Sequence, residues 1–318
     1  MNKPPNLSLS IAGVKLRNPV IAASGTFGYG REYEGLVDTA SLGGICTNGL
    51  TVKACPGNPG RRIYETPSGI MNSTGYENPG IQAFLRNELP RLSKLGPVII
   101  ANLSGSTRAE YVDGALLLNA SNVDMIELNL SCPNPAAKGV PFGIARETAE
   151  FLTASVRRAA SNKPLMVKLT PDAPNLPAVA QACVKAGADA ISLVNTFNAL
   201  AIDVNERKPV FENIFAGLSG PAIRPIAVRM VWELYEKITV PIVGMGGIAS
   251  AADALEFLIA GAAAIQVGSA TFSCPPLMSE VITGIAEYME EKGFTKLDEI
   301  SIRKVGKYVA FPKNRPFE

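Results

Sequence analysis

Eight short apolar runs, separated by helix-like stretches, limit the folds open to this chain more than any other feature. They are Pro19–Gly25, Gly43–Leu50, Val98–Gly105, Met125–Cys132, Leu165–Pro171, Ala190–Phe197, Val240–Gly247 and Ala263–Ala270. Most are rich in β-branched residues and apolar nearly throughout, the pattern of strands covered on both faces. Between them, Ala109–Ala120, Ala145–Ser161, Leu176–Ala186, Ala222–Lys237 and Ala252–Ala260 read as helices. Two of these run into Ala-Gly-Ala, at Ala186-Gly187-Ala188 and Ala260-Gly261-Ala262, where glycine ends the helix before the next strand. Eight strand–helix units predict an α/β chain closed into a (β/α)8 barrel. A doubly wound open sheet is the rival, but it carries its Gly-rich turn after the first strand, and here the Gly-rich turns come last.

The opening alternation Leu7–Ser10 / Val14–Leu16 around Ala12-Gly13 reads as a hairpin able to plug the barrel bottom. Thr51–Pro79 and Asn198–Gly220 are too long for turns and are rich in Gly, Pro and Asn, so they read as loop walls or lids over the opposite end. No linker interrupts residues 1–318, which read as one domain. With 47% hydrophobic and 18% charged residues a large core can form, and a net charge of +2 with dispersed basic residues points away from nucleic acid. No apolar run reaches the roughly 18 residues of a membrane span, and the polar start Met1-Asn2-Lys3-Pro4-Pro5 lacks a signal-peptide core.

The five cysteines, Cys46, Cys55, Cys132, Cys183 and Cys274, form no C-x-x-C pair, which suits a reducing cytoplasm and excludes an iron–sulfur cluster held by this chain alone. The chain has no histidine, so a catalytic zinc or non-haem iron site is not expected and the metal expectation is none. A general base must then be Cys, Asp, Glu, Lys or Tyr. Cys132 is the best placed, because Ser131-Cys132-Pro133 ends a buried strand between the carboxamides of Asn129 and Asn134. Cys46 and Cys183 read instead as small buried hydrophobes.

Active sites of such barrels sit at the C-terminal strand ends. Those ends supply Ser24, Asn48, Asn102, Asn129, Lys168, Asn195 and Thr196. Carboxamides both donate and accept, so Asn72, Asn129, Asn134 and Asn195 together suit a flat heterocycle with alternating N–H and C=O groups, although Asn also favours turns for its own sake. Gly244–Gly247 and Gly268-Ser269 end the last two strands, each before a helix start, where backbone N–H groups meet anions. They point to a phosphorylated substrate or a mononucleotide such as FMN. Lys168 in an apolar strand either faces that ligand or pairs with a core carboxylate such as Glu127.

These residues resemble the class 1 dihydroorotate dehydrogenases, and among them the B-type catalytic subunits. The resemblance runs along nearly the whole chain, through Ala23-Ser24-Gly25-Thr26-Phe27-Gly28, Gly57-Asn58-Pro59, Asn78-Pro79-Gly80, Ala101-Asn102, Asn129-Leu130-Ser131-Cys132-Pro133-Asn134, Val167-Lys168-Leu169, Asn195-Thr196, Gly217-Leu218-Ser219-Gly220 and Gly244-Met245-Gly246-Gly247. It implies an FMN enzyme that oxidises (S)-dihydroorotate to orotate in pyrimidine biosynthesis. Cys132 would take the proton from C5 and FMN N5 the hydride from C6. Asn72, Asn129, Asn134, Asn195 and Thr196 would hold the pyrimidine. Ser24, Asn102, Asn129 and Lys168 would meet the flavin, and Gly220, Gly246, Gly247, Gly268 and Ser269 its phosphate. It also implies a homodimer and a partner subunit carrying FAD and a [2Fe–2S] cluster that passes electrons to NAD+.

Two positions depart from the family pattern. Asn48 stands where the family carries a lysine beside flavin and substrate, and Tyr76 where it carries an apolar residue. They leave open a related FMN enzyme of another dihydropyrimidine-like ring, or a flavin-binding homologue without turnover. A phosphosugar isomerase barrel is weaker, since it gives the thiol no task.

Overall fold

The computed structural model describes residues 4–131 and 140–302. Its strands are β1 (Leu9–Ile11), β2 (Val14–Leu16), β3 (Val20–Ala22), β4 (Gly44–Cys46), β5 (Ile63–Thr66), β6 (Gly69–Asn72), β7 (Val98–Leu103) and β8 (Met125–Asn129). They continue with β9 (Leu165–Lys168), β10 (Ala190–Leu193), β11 (Phe197–Leu200), β12 (Ile202–Asp203), β13 (Lys208–Pro209), β14 (Phe215–Ser219), β15 (Ile242–Met245) and β16 (Ala264–Val267). The strands β3, β4, β7, β8, β9, β10, β15 and β16 close into a barrel in chain order, each parallel to its neighbour. All eight lie inside the apolar runs read from the sequence. They stop earlier than those runs because the residues that follow turn away to build the mouth.

The helices are α1 (Ile81–Asn87), α2 (Leu89–Leu95), α3 (Arg108–Asn119), α4 (Arg146–Ala159), α5 (Leu176–Lys185), α6 (Arg224–Tyr235), α7 (Ala251–Ala260) and α8 (Leu277–Lys292). Side chains cap three of them. Thr107 Oγ1 accepts from Glu110 N, Asn175 Oδ1 from Ala178 N and Ser250 Oγ from Asp253 N, each filling an orphan donor of the first turn. Gly187 and Gly261 follow α5 and α7 with φ of +101° and +116°, the left-handed exit that the Ala-Gly-Ala pattern predicts.

Period-2 alternation sorts each barrel strand into two faces. Ile126, Leu128, Val167, Ile191 and Ile265 point outward into the core shared with the helices. Met125, Met166, Ile100, Ala190, Val243 and Ala264 point inward and form a second cluster with Ile11 and Leu16 of the β1–β2 hairpin. The hairpin closes the lower end of the barrel, as its position in the sequence predicts.

The two long connections carry strands of their own. Parts of them pair with each other as an antiparallel sheet in the order β11-β14-β6-β5, with β12 and β13 as a further small ladder. Gly217 lies opposite Asn72, a pairing between residues 145 positions apart. Such a ladder has no local signal, because neither segment alternates cleanly and the pairing joins residues 145 positions apart.

Candidate functional site

The inward residues one step above the apolar layer are polar, and their centre is Glu127. This carboxylate is fully buried. Its Oε1 accepts hydrogen bonds from Ser192 Oγ (2.8 Å) and Gln266 Nε2 (2.7 Å). Its Oε2 accepts from Asn102 Nδ2 (2.6 Å) and Cys46 Sγ (3.1 Å). Five strands, β4, β7, β8, β10 and β16, therefore meet on one side chain. Burial by itself pushes a carboxyl up. Here the Lys168 charge and these donors outweigh it and hold Glu127 below its ordinary range, hence ionised.

Cys46 is buried as the sequence reading requires, but it is not a plain hydrophobe: it is a donor to Glu127. Burial and the neighbouring carboxylate push its thiol well above the ordinary value, so it stays protonated. Cys183 does fit that reading, with its thiol pushed up to about 12 by burial. Ser192 and Gln266 were not singled out from the sequence. Their signal was available: each is the one polar residue inside a four-residue apolar strand, two positions along from an inward alanine.

Above Glu127, Asn102 Oδ1 accepts from Ser104 Oγ (3.3 Å) and from Asn129 Nδ2 (3.4 Å). Asn129 Oδ1 accepts from the Ser131 amide at 3.0 Å, and the Asn129 carbonyl accepts from Tyr111 Oη at 2.7 Å. Lys168 ends β9 in register with Asn129 and is 4% exposed. Asn102, Asn129 and Lys168 are thus brought together at the mouth. Cys132 and Asn134 lie outside the described residues, as does most of the Pro133–Gly143 loop.

The remaining candidates fall into groups around this centre. Asn72 Nδ2 donates to the Gly217 carbonyl at 3.3 Å, and a Cβ at Gly217 would collide with Thr196, so the lid sheet sets Asn72 and Thr196 on either side of one backbone. Asn195 Oδ1 accepts from the Thr196 amide at 2.9 Å. Asn48 and Gly25 share a cleft with Phe27, Leu36, Thr271 and Phe272 at the strand ends, one residue from Ser24. Tyr76, with φ of +56°, packs beside Gly49: a Cβ there would lie 2.9 Å from its ring.

The glycines form a cradle. Gly220, Gly246 and Gly247 have φ of +104°, +123° and +74°. A Cβ on Gly247 would stand 2.6 Å from the Gly220 carbonyl, so only glycine allows these two backbones to approach. Arg224 is not loose beside them. It is ion-paired with Asp253, whose Oδ2 accepts from the Ala249 amide at 2.9 Å, which pins the loop after Gly247. Gly268 and Ser269 open the short helix after β16, with Ala23 of the β3 end nearby.

The site also holds buried polar atoms without a partner among the described residues: Asn48 Oδ1, Ser131 Oγ and Gln266 Oε1. Orphaned acceptors and hydroxyls at the strand ends, together with a glycine cradle after β15, fit a ligand with a polar planar head and an anionic tail. Among the described residues no group of three or more His, Cys, Asp or Glu converges as a metal site, and no helix is long and apolar enough to cross a membrane.

Comparison with known proteins agrees with this arrangement. The family model for dihydroorotate dehydrogenase matches residues 6–289. A "dihydroorotate dehydrogenase B (NAD(+)), catalytic subunit" of Petrotoga mobilis is 53% identical over 292 residues, covering 92% of this chain and 97% of that protein. Proteins of the same name from Caldicellulosiruptor saccharolyticus and Pelobacter propionicus are 52% and 46% identical, each over 93% of this chain and 98% and 97% of their own lengths.

Proposed function

The chain belongs to the dihydroorotate dehydrogenase family, and from that premise we propose that residues 1–318 form one FMN-binding barrel domain that oxidises (S)-dihydroorotate to orotate. The observation that carries this reading is half-identity, over more than nine-tenths of the chain, with proteins named as NAD(+)-linked catalytic subunits of that activity.

The residues present fit FMN. Gly220, Gly246, Gly247, Gly268 and Ser269 would hold the phosphate through backbone N–H groups, beside an Arg224 that is already paired with Asp253. Ser24, Asn102, Asn129 and Lys168 would meet the ring and ribityl chain, and the orphaned polar atoms at the mouth support that use. When bound, FMN supplies the two-electron acceptor for desaturation of a carbon–carbon bond.

The protein's own part is to hold the ring and move a proton. Asn72, Asn129, Asn134, Asn195 and Thr196 present donors and acceptors to a pyrimidine and its carboxylate. Cys132 takes the C5 proton as a thiolate, a role that rests on its place in the Asn129–Asn134 element and on the lack of any histidine to replace it. Electrons then leave the barrel. The relatives' names support a companion subunit, here assigned FAD and a [2Fe–2S] cluster, that delivers them to NAD+. A homodimer in the cytoplasm completes the reading.

A second reading is favoured by two observations in the substrate shell. Asn48, which stands in place of the lysine of the family pattern, has a buried oxygen without a partner among the described residues, and Tyr76 takes a left-handed backbone conformation beside Gly49, the residue after it. Together they suit another reduced pyrimidine-like ring. Anaerobic bleaching of the flavin separates the two. Dihydroorotate should reduce the enzyme faster than dihydrouracil, and Cys132→Ala should keep FMN but lose reduction by about 10²–10⁴-fold. Preference for dihydrouracil would favour the second reading, and undiminished reduction in the variant would exclude the thiol as base.

A further inference from the structure

Glu127 lies below the candidate flavin contacts and is used by none of the steps above. A carboxylate only accepts hydrogen bonds, with two oxygens and about four lone-pair sites. Four donors fill them: Ser192 and Gln266 on Oε1, Asn102 and Cys46 on Oε2. Two consequences follow from this geometry.

The first concerns the Asn102 carboxamide, which can point either way round. Glu127 requires the NH2 end, so the oxygen is turned toward Ser104 and Asn129, the residues nearer the mouth. Asn102 is thereby fixed as the acceptor of Ser104 Oγ and Asn129 Nδ2, which orients the Asn129 carboxamide in turn. The second concerns Lys168. With the four acceptor sites taken, Glu127 attracts the ammonium as a charge and leaves its N–H groups for another partner. Among the described residues the layer then contains one anion, Glu127, and one cation, Lys168, with the Cys46 thiol neutral.

We propose that Glu127 is a positioning residue that sets the electron affinity of the cofactor: it holds the Asn102–Asn129 carboxamide pair in one orientation at the mouth and cancels the Lys168 charge beneath the flavin. A zero-sum layer in a low-dielectric interior gives little help to the negative charge that builds on a reduced flavin. The bound flavin is kept a good reductant, which suits a subunit that must hand its electrons on. This inference rests on the FMN reading.

The test is a four-protein cycle of wild type, Glu127→Gln, Lys168→Met and the double variant. Each is saturated with FMN and its midpoint potential read by anaerobic titration against a reference dye. Glu127→Gln leaves the cation uncompensated and should shift the potential upward. Lys168→Met leaves the anion and should shift it downward. The double variant should return close to wild type. A purely structural Glu127 would change FMN retention or melting temperature without this ordered shift. An unchanged potential in Glu127→Gln overturns the proposal. Should that variant fail to fold, the comparison moves to the neutral pair: a double variant equal to Lys168→Met overturns it, and one above Lys168→Met supports it. A wild-type chain that takes up no FMN removes the reading of the site itself, and this inference with it.

Discussion

Two layers of the barrel interior, one strand step apart, are built on opposite principles. The lower one, closed by the hairpin, is held by Ile11, Leu16, Ile100, Met125, Met166 and Val243 through close packing alone. The upper one places a carboxylate, an ammonium, a carboxamide, a hydroxyl and a glutamine side chain in the same closed ring of strands. A close-packed layer loses stability in step with the contacts removed, whereas an ion that loses its partner inside a barrel has no water to replace it. The lower layer is therefore held by packing and the upper by charge and hydrogen bonds, and only the upper offers groups for chemistry.

The contrast is broken or sharpened most strongly at Glu127. Glu127→Leu leaves Lys168 buried without its counter-charge and four donors without an acceptor, with an expected loss of about 4 kcal/mol. Removing both charges, in Glu127→Leu with Lys168→Met, should recover part of that loss, since a buried pair can often be replaced by apolar groups. Met125→Ala in the lower layer opens a cavity and should cost roughly 3 kcal/mol. Urea unfolding measures all three, and a smaller cost at Glu127 than at Met125 would show that the upper layer is not held by charge.

The smallest effect is one of pH. The folded state holds Glu127 below the ordinary carboxyl value of 4.5. Its contribution is therefore present above that value and is lost as pH falls through the lower, folded one. The urea midpoint should hold level from neutrality to about pH 5 as far as this group is concerned, then drop. The acid limb should be shallower in Glu127→Gln, and identical limbs would mean that Glu127 is not ionised in the fold.

Much of this architecture can be read from residues alone. The apolar runs contain every barrel strand, and the hairpin reads correctly because Ala12-Gly13 both take positive φ, at 51° and 85°. The last two Gly clusters do fall on neighbouring strands. The polar layer was only half legible. Lys168 and Glu127 stand out as charges in apolar strands, but Ser192 and Gln266 are single polar residues whose inward direction appears only in the register. Helices α1, α2 and α8 also escaped notice, since α1 and α2 are short and broken at Glu88-Leu89-Pro90, and α8 lies beyond the last strand.

The sequence by itself determined the barrel, because the apolar period and the glycine exits act locally, within one strand or one helix turn. It also determined that any base must be something other than histidine. Only the tertiary structure decided that Cys46, Asn102, Ser192 and Gln266 converge on one carboxylate, and that Asn72 meets Gly217 across 145 positions. Those contacts exist because closing the barrel sets the register of every strand against every other, a constraint that no local stretch of chain contains.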